Sequence, residues 1–276
     1  MMLFYKYTGR WKEFIENHQL RLTPPCDLND PFEATPPLID VLSQDSYPPS
    51  GVKDETRAIY FNGIIRSQSK NASSSRMPAV RTLGELGILS LSRCEPLNPK
   101  ANLLWAHYAN QYKGIAIEFD AGDAFFNDSQ PVDYSNERCL CSKDSLADVF
   151  YKKHPSWEYE DEVRVVRTLK DADSFYYKCA NSNKTERFEL SDSKHKGKSL
   201  DSPNYFCCFE VPEVAIKRIY LGVYMPLEDK VYLLDLVQKN LKNCIVMDTM
   251  IDEHTYALRT QKFCPETARR IGGGWA

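Results

Sequence analysis

The chain has 276 residues, of which 42% are hydrophobic and 26% charged, with a formal net charge of −3. This composition is ordinary for a globular protein and excludes a global basic field that would recruit nucleic acid. No apolar run reaches the ~18 residues of a membrane-spanning helix, and the N-terminus lacks a signal-peptide pattern. The sequence therefore predicts a cytoplasmic protein without membrane contact, whose nine cysteines are free thiols.

The N-terminal half combines short apolar segments with polar loops. Residues 3–7 predict a strand, and an apolar face at helical spacing predicts a helix over 9–20. Prolines indicate a loop over 21–37, and the low-complexity stretch 70–78 indicates a mobile loop. Further apolar patterns predict strands over 87–93 and 114–120 and helices over 54–68, 101–112 and 144–154.

Strands dominate the C-terminal half. A strand predicted over 162–169 is followed by the polar stretch 170–203, which we interpret as a surface insertion. The remaining apolar patterns predict an amphipathic helix over 226–241 and strands over 205–211, 216–223 and 243–249. Because strands and helices do not alternate strictly, we predict a single domain of the α+β class over 1–276.

Four carboxylates crowd the stretch WEYEDEVRVV, residues 157–166, at the start of a predicted strand. Because side chains alternate along a strand, Glu160, Glu162 and Arg164 are expected to point the same way. Two carboxylates this close are costly unless the site needs negative charge, for example to stabilise a cationic transition state. Alternatively, the charged strand end lies in solvent and pairs with nearby Lys or Arg. Arg164 is expected to hold a glutamate by a charge-assisted hydrogen bond.

Two earlier strands carry polar residues that complete a pattern. Ser90 and Ser92 share one face of the strand over 87–93, by period two. Lys6 lies in an aromatic strand, with Tyr5 and Tyr7 on the opposite face. The order of a basic residue, a serine strand and Glu-x-Glu resembles the arginine–serine–glutamate pattern of the ADP-ribosyltransferases, enzymes that use NAD+.

This resemblance implies an ADP-ribosyltransferase-like fold, with split mixed or antiparallel sheets and flanking helices. It implies that Lys6 holds the phosphate or ribose of NAD and that Ser90 and Ser92 shape the nicotinamide pocket. Glu162, or Glu160 in its place, would hydrogen-bond the nicotinamide ribose and support the oxocarbenium ion. The chain departs from the pattern because a lysine replaces the usual arginine, which weakens bidentate recognition, and because Leu91 replaces a threonine.

A second resemblance covers four motifs in order. They are similar to those of a bacterial family named only as a domain of unknown function, found among phage-defence and toxin-like genes. The motifs are YKY at 5–7, NDPFE at 29–33, LLWAHYANQYKGIAIEFD at 103–120 and WEYEDEVR at 157–164. Together the two resemblances imply that NAD-binding residues include Tyr7, Asn29, Asp30, Trp105, His107, Tyr108 and Arg164.

The motif residues also have structural interpretations. Asn29 and Asp30 precede a proline and can form an Asx turn, as an alternative to reaching the ribose or adenine of NAD. Trp105 and Tyr108 are i, i+3 neighbours on the predicted helix, whereas His107 projects elsewhere. We therefore expect one of these two groups to pack in the core and the other to face a pocket.

The combined expectation is an NAD-dependent mono-ADP-ribosyltransferase that modifies a macromolecule and acts as a toxin or anti-phage effector. RNA or DNA is favoured over protein as the acceptor, because an aromatic-rich cleft could stack a nucleobase. An antitoxin protein is a possible partner. The alternatives are NAD hydrolysis, with water as the acceptor, and a non-catalytic binding or sensor module on the same fold. The spacing of Cys, His and acidic residues predicts no metal site.

Overall fold

The computed structural model describes residues 2–30, 32–34, 86–137, 149–179, 184–196, 198–202 and 204–266. Within these ranges the chain combines three sheets with three α-helices, which agrees with the predicted α+β class. The helix predicted over 54–68 and the loop predicted over 70–78 lie outside the described residues.

The largest sheet has eight strands. In spatial order they are β14 (Leu258–Lys262), β13 (Ile245–Ile251), β12 (Ile216–Leu221), β4 (Ile115–Asp120), β1 (Leu3–Thr8), β3 (Leu86–Ser92), β8 (Glu162–Thr168) and β5 (Gln130–Pro131). Neighbouring strands are antiparallel, except that β12 and β13 are parallel and are joined through a helix. A parallel pair requires such a crossover connection.

A second, antiparallel sheet has four strands. Its spatial order is β10 (Thr185–Phe188), β9 (Ser174–Lys178), β11 (Tyr205–Glu210) and β2 (Gln19–Leu22). A third sheet pairs β6 (Asp133–Tyr134) with β7 (Lys152–Lys153) in parallel. The stretch 170–203, predicted as a surface insertion, therefore contributes β9 and β10 to a sheet. Phe175 and Phe188 from this stretch lie in the main core, despite the polar residues around them.

The helices are α1 (Trp11–Asn17), α2 (Asn102–His107) and α3 (Leu227–Asn240). Helix α1 is shorter than the predicted 9–20 because His18 adopts a left-handed conformation, with φ of 54°, and ends it. Strand β2 follows at once, in a stretch predicted as a loop. Helix α2 is shorter than the predicted 101–112, and positive φ angles follow it at Asn110, Gln111 and Tyr112. Within the described ranges, no helix combines the length and the apolar content needed to cross a membrane.

The helix predicted over 144–154 is wrong in its described part. Lys152 and Lys153 extend as strand β7 and pair with β6, so their side chains point to opposite sides. The predicted strands at β3, β4, β8, β11, β12 and β13 and the helix α3 are confirmed to within a few residues. Strand β14 was not predicted, because its sequence LRTQK lacks an apolar pattern.

The main core joins one face of the large sheet to the second sheet, and α1 and α3 add to it. On β3 and β8, the residues that enter this core are Leu89, Leu91, Val163 and Val165. Each such side chain contributes about 1.5–3 kcal/mol by leaving water. The alternate residues of both strands face away from the main core. On that second face a smaller apolar cluster forms around Trp105, and next to it the strands carry polar side chains.

Candidate functional site

Five charged side chains are buried together on the second face of the large sheet. They are Glu33, Lys153, Glu160, Glu162 and Arg164. They come from a loop after β2, from β7, from the turn before β8 and from β8 itself. Buried charges are costly unless they are paired and hydrogen-bonded, so this group requires its own internal pairing. We call these five residues the charged cluster.

Arg164 and Glu162 form a two-pronged ion pair within β8. Arg164 Nε donates to Glu162 Oε1 at 2.8 Å, and Nη2 donates to Oε2 at 2.9 Å. Arg164 Nη1 donates to the carbonyl oxygen of Phe150 at 2.7 Å, and Nη2 also contacts the Glu33 carboxylate. The predicted contact between Arg164 and a glutamate is therefore present, and every guanidinium nitrogen has an acceptor.

Lys153 bridges three carboxylates. Its Nζ lies 2.6 Å from Glu160 Oε2, 3.1 Å from Glu162 Oε2 and 3.2 Å from Glu33 Oε1. The ammonium group also lies 4.7 Å from the centre of the Trp157 ring, at cation–π distance. The sequence pattern predicts a helix at Lys153 and therefore gives no sign of this contact, and for Glu33 it predicts at most a hydrogen bond to backbone.

Glu160 and Glu162 both point to the side of the large sheet where Lys153 lies, but a turn places them there, not the alternation of side chains along one strand. Glu160 ends a 3-10 helix over Pro155–Glu160, and Asp161 has a φ of 43°, in the left-handed region. Strand β8 begins only at Glu162. The prediction of one strand carrying both glutamates was therefore wrong, although both carboxylates approach Lys153 as expected of a shared side.

A cavity with a volume of 230 Å³ opens beside the charged cluster. Many of the predicted site residues line it, namely Lys6, Tyr7, Asn29, Ser90, Ser92, Tyr108, Glu160 and Glu162. Residues that the sequence did not single out also line it, among them Glu33, Lys153 and Leu104. The cavity thus brings together parts of all four motifs.

The cavity lies where β1 and β3 pair only briefly, through Tyr5 and Ser92. Beside this pair, Lys6 Nζ donates to the carbonyl oxygen of Ser90 at 2.9 Å, so a side chain satisfies a strand carbonyl. Burial lowers the pKa of Lys6, and the nearby Glu162 and Glu160 oppose that shift. Ser90 and Ser92 share a side as predicted: both line the cavity, Ser92 lies opposite Glu162 in the strand register, and the Ser90 side chain helps to lower the pKa of Glu162.

Tyr108 fixes one oxygen of Glu160. Its hydroxyl donates to Glu160 Oε1 at 2.5 Å and accepts a long hydrogen bond from Asn29 Nδ2 at 3.4 Å. Burial and the Glu160 charge raise the pKa of Tyr108 far above its ordinary value. The hydroxyl therefore stays a donor over the whole physiological pH range, and Tyr108 and Lys153 together set the orientation of the Glu160 carboxylate.

The other predicted site residues lie elsewhere. Trp105 is fully buried, and its Nε1 donates to the carbonyl oxygen of Pro96 at 3.0 Å, so it is a core residue. His107 is exposed and lies outside the cavity lining. The expected grouping of Trp105 with Tyr108 is wrong, because Trp105 packs in the core and Tyr108 lines the cavity. Asp30 Oδ1 accepts from the backbone N–H of Phe32 at 2.9 Å, as in the Asx-turn interpretation. Arg164 lies behind Glu162, outside the lining.

The two neighbouring glutamates have opposite pKa shifts. Burial raises the pKa of Glu162, but Arg164 and Lys153 outweigh it and hold the value at about 2. Burial also raises the pKa of Glu160; Lys153 opposes this and the Glu162 charge adds to it, so that the pKa stays above its ordinary value. Two carboxylates whose pKa values are pushed apart are suited to different roles. Glu162 is ionised at neutral pH, whereas burial and the Glu162 charge favour the protonated form of Glu160.

Glu162 makes a pH-dependent contribution to stability. A pKa lowered from 4.5 to about 2 corresponds to about 3 kcal/mol of unfolding free energy, present above pH 4.5 and lost as pH falls towards 2. We expect Glu162→Gln to be strongly destabilised at about pH 6 and much less so at about pH 2.5. Urea unfolding of both proteins at each pH measures this difference in stability. If the difference in unfolding free energy between wild type and Glu162→Gln were the same at both pH values, the lowered pKa of Glu162 would be contradicted.

Ser92 supports the turn that carries Glu160. Its hydroxyl donates to the carbonyl oxygen of Glu160 at 2.5 Å and accepts from the backbone N–H of Cys94 at 2.9 Å. We expect Ser92→Ala to cost about 1–3 kcal/mol, because two buried backbone groups lose their partner. Ser199→Ala, at an exposed serine, is the control and should change the unfolding free energy by less than about 0.5 kcal/mol. Equal effects in a urea titration would argue against this role of Ser92.

A family model described as "Protein of unknown function (DUF2971)" matches residues 104–165. The chain is thus similar, over this stretch, to a family of the kind that the motif series predicts. Most of the charged cluster lies in the matched stretch, as does its partner Tyr108; the cluster members are Lys153, Glu160, Glu162 and Arg164. No curated protein and no solved structure matches the chain.

Proposed function

We propose that the protein is an NAD-dependent mono-ADP-ribosyltransferase, and that the 230 Å³ cavity holds the nicotinamide-ribose half of NAD+. The observation that carries the proposal is the convergence of three distant segments. Lys6 from β1, Ser90 from β3 and Glu160 from the turn before β8 line one cavity. The ADP-ribosyltransferase pattern requires a basic residue, a serine and a glutamate side by side; Glu162, to which the resemblance first assigns the glutamate role, also lines the cavity.

The proposed reaction breaks the bond between nicotinamide and ribose. The bonding electrons leave with the nicotinamide nitrogen, and the ribose carbon becomes an oxocarbenium-like cation. A carboxylate close to this carbon stabilises the developing positive charge. A nucleophile of the acceptor then attacks the carbon and loses a proton, for which a carboxylate with a raised pKa is a suitable base.

Glu160 is the better candidate for this carboxylate. Both oxygens of Glu162 accept from Arg164, and one also contacts Lys153, so its charge is already compensated. Glu160 has one close cation, Lys153, and one neutral donor, Tyr108. Glu160 lines the cavity, and we assign to it the contact with the ribose.

The size and charge of the cavity suit one half of the dinucleotide. Pockets that bury a whole drug-sized ligand measure about 300–1,000 Å³, and this cavity measures 230 Å³. The adenosine half would therefore extend outside. The charged cluster has three carboxylates against two cations, which leaves one net negative charge beside the ribosyl cation. Lys6 also lines the cavity, and we assign to it the contact with a phosphate or the ribose of NAD+.

The biological part of the proposal rests on the two resemblances. We propose a toxin or anti-phage effector of the cytoplasm, with RNA or DNA favoured over protein as the acceptor and an antitoxin as a possible partner. Plain NAD hydrolysis uses the same site, with water in place of the macromolecule.

One observation favours a second candidate, a non-catalytic NAD-binding or sensor module. Both oxygens of Glu160 and both of Glu162 already accept from protein groups. Such saturation is also what a purely structural charged cluster requires. In that case the cavity would bind a nucleotide without cleaving it.

The test is incubation of the purified protein with adenine-labelled NAD+ and a cell lysate, followed by separation of protein, RNA and DNA. We expect label in one macromolecular fraction and release of nicotinamide. Free labelled ADP-ribose alone would support the hydrolase. Intact NAD+ that nevertheless binds would support the sensor module. If NAD+ is neither cleaved nor bound, all three NAD-based proposals are overturned.

A further inference from the structure

The charged cluster contains a lysine whose position suggests a role in the proposed reaction. We propose that Lys153 is a positioning residue that keeps the Glu160 carboxylate ionised and aimed into the cavity. This inference rests on the proposed function, which makes Glu160 the reactive carboxylate.

The ammonium group of Lys153 is held from several sides. Its strand, β7, pairs with β6 in the register of Lys153 with Tyr134, which fixes the backbone. The Trp157 ring lies 4.7 Å from Nζ. Lys153 Nζ forms ion pairs with three carboxylates, and the shortest contact, 2.6 Å, is to Glu160. A buried lysine side chain with this many partners has little freedom to move away from Glu160.

Among the described residues, several elements around Glu160 present titratable or charged groups. They are Lys6 from β1, Glu33 from the loop after β2, Tyr108 at the end of α2, Tyr134 from β6, Lys153 from β7, Tyr159 from its own turn, and Glu162 and Arg164 from β8. Among the described residues, Lys153 is the cation that forms an ion pair with Glu160. Arg164 instead pairs with Glu162 and Glu33.

Loss of the Lys153 charge should therefore shift the pKa of Glu160 in one direction. Burial and the neighbouring Glu162 charge already favour the protonated form of Glu160, and Lys153 opposes them. Without Lys153, the pKa of Glu160 rises further. A protonated Glu160 cannot stabilise a cation, so activity should require a higher pH.

The variants must separate this role from simple loss of folding. Lys153→Met alone leaves three buried carboxylates with one cation and is expected to be unstable. The double variant Lys153→Met/Glu33→Gln removes one positive and one negative charge, so the net charge of the charged cluster equals that of wild type. Glu33→Gln alone is its reference, and Lys153→Arg is the conservative variant. Lys178→Met, at an exposed lysine at the end of β9, is the control.

The measurement is the pH titration of the Glu160 carboxyl carbon by NMR of protein labelled with ¹³C-glutamate, assigned by its absence in Glu160→Gln. Relative to Glu33→Gln, the double variant should raise the midpoint by about 1–3 pH units, the range for a lost neighbouring charge. The acid limb of NAD+ cleavage should move by the same amount, and Lys153→Arg and Lys178→Met should stay near wild type.

An unchanged Glu160 midpoint in the double variant would overturn the proposed role of Lys153, whatever the activity. The titration does not need NAD+. A wild-type protein that fails to cleave NAD+ would therefore count against the proposed function, and the NMR result would still decide the role of Lys153 in holding Glu160 ionised.

Discussion

Arg164→Met should lose about 3–5 kcal/mol of unfolding free energy, the range found when one partner of a buried ion pair is removed. Arg164 has no exposed surface, and its loss would leave Glu162 and Glu33 with Lys153 as the remaining cation of the charged cluster. The carbonyl oxygen of Phe150 would lose its donor as well. Urea unfolding at neutral pH, followed by circular dichroism, measures the change. A variant that does not fold meets the same expectation.

Arg167→Met is the matched control on the same strand. Arg167 also pairs with a carboxylate, Asp128, but both side chains are partly exposed, at 23% and 45%. Exposed ion pairs contribute about 0–1 kcal/mol because water screens the charges. We therefore expect a much smaller loss for Arg167→Met. If Arg164→Met were as stable as this control, the charged cluster would not be the structural requirement that its burial indicates.

Glu160→Gln should lower the rate of NAD+ cleavage about 100- to 1,000-fold, the range for loss of one preorganised electrostatic stabiliser. The amide has the shape of the carboxylate, but its single oxygen can accept from Tyr108 or from Lys153 and not from both. Lys153 keeps Glu33 and Glu162 as partners, so the fold and NAD+ binding should largely remain. The negative charge beside the ribosyl cation is lost, and the proton acceptor is lost with it. Release of nicotinamide, measured by chromatography at saturating NAD+, gives the rate.

Glu158→Gln is the control for this experiment. It lies two residues earlier in the same turn, is exposed, and changes the net charge of the protein equally. Its rate should equal that of wild type. If Glu160→Gln kept the wild-type rate while Glu162→Gln, still folded, lost it, the assignment of the reactive carboxylate to Glu160 would be wrong.

The sequence predicted most of the sheet because period-two and 3.6-residue apolar patterns report local burial directly. Through the resemblance, it also predicted that Lys6, Ser90 and Ser92 belong with Glu162, or with Glu160 in its place, and all five residues line the cavity. It could not predict Lys153, because KKH follows an apolar stretch that also fits a helix. Only the pairing of β7 with β6 shows that Lys153 points at the carboxylates, and such long-range pairing leaves no local signal.

The turn at Asp161 was also beyond local reasoning. The stretch EDEVRVV predicts one continuous strand. The left-handed φ of Asp161 is set by tertiary contacts. Ser92 holds the carbonyl oxygen of Glu160, and Arg93 binds the Asp161 side chain at 2.5 Å. Glu33 was visible only as part of NDPFE, where its role as a partner of Arg164 and Lys153 depends on residues more than a hundred positions away.

The most direct test of the central claim is calorimetric titration of NAD+ into Glu160→Gln, which should bind the dinucleotide without consuming it. The account predicts saturable binding, competition by free nicotinamide, and at least tenfold weaker binding (about 1.4 kcal/mol) when Lys6→Ala is added. Competition by nicotinamide would place the nicotinamide half in the cavity beside Glu160. Absence of binding by both wild type and Glu160→Gln, with both proteins folded, would contradict the claim that this cavity is an NAD site.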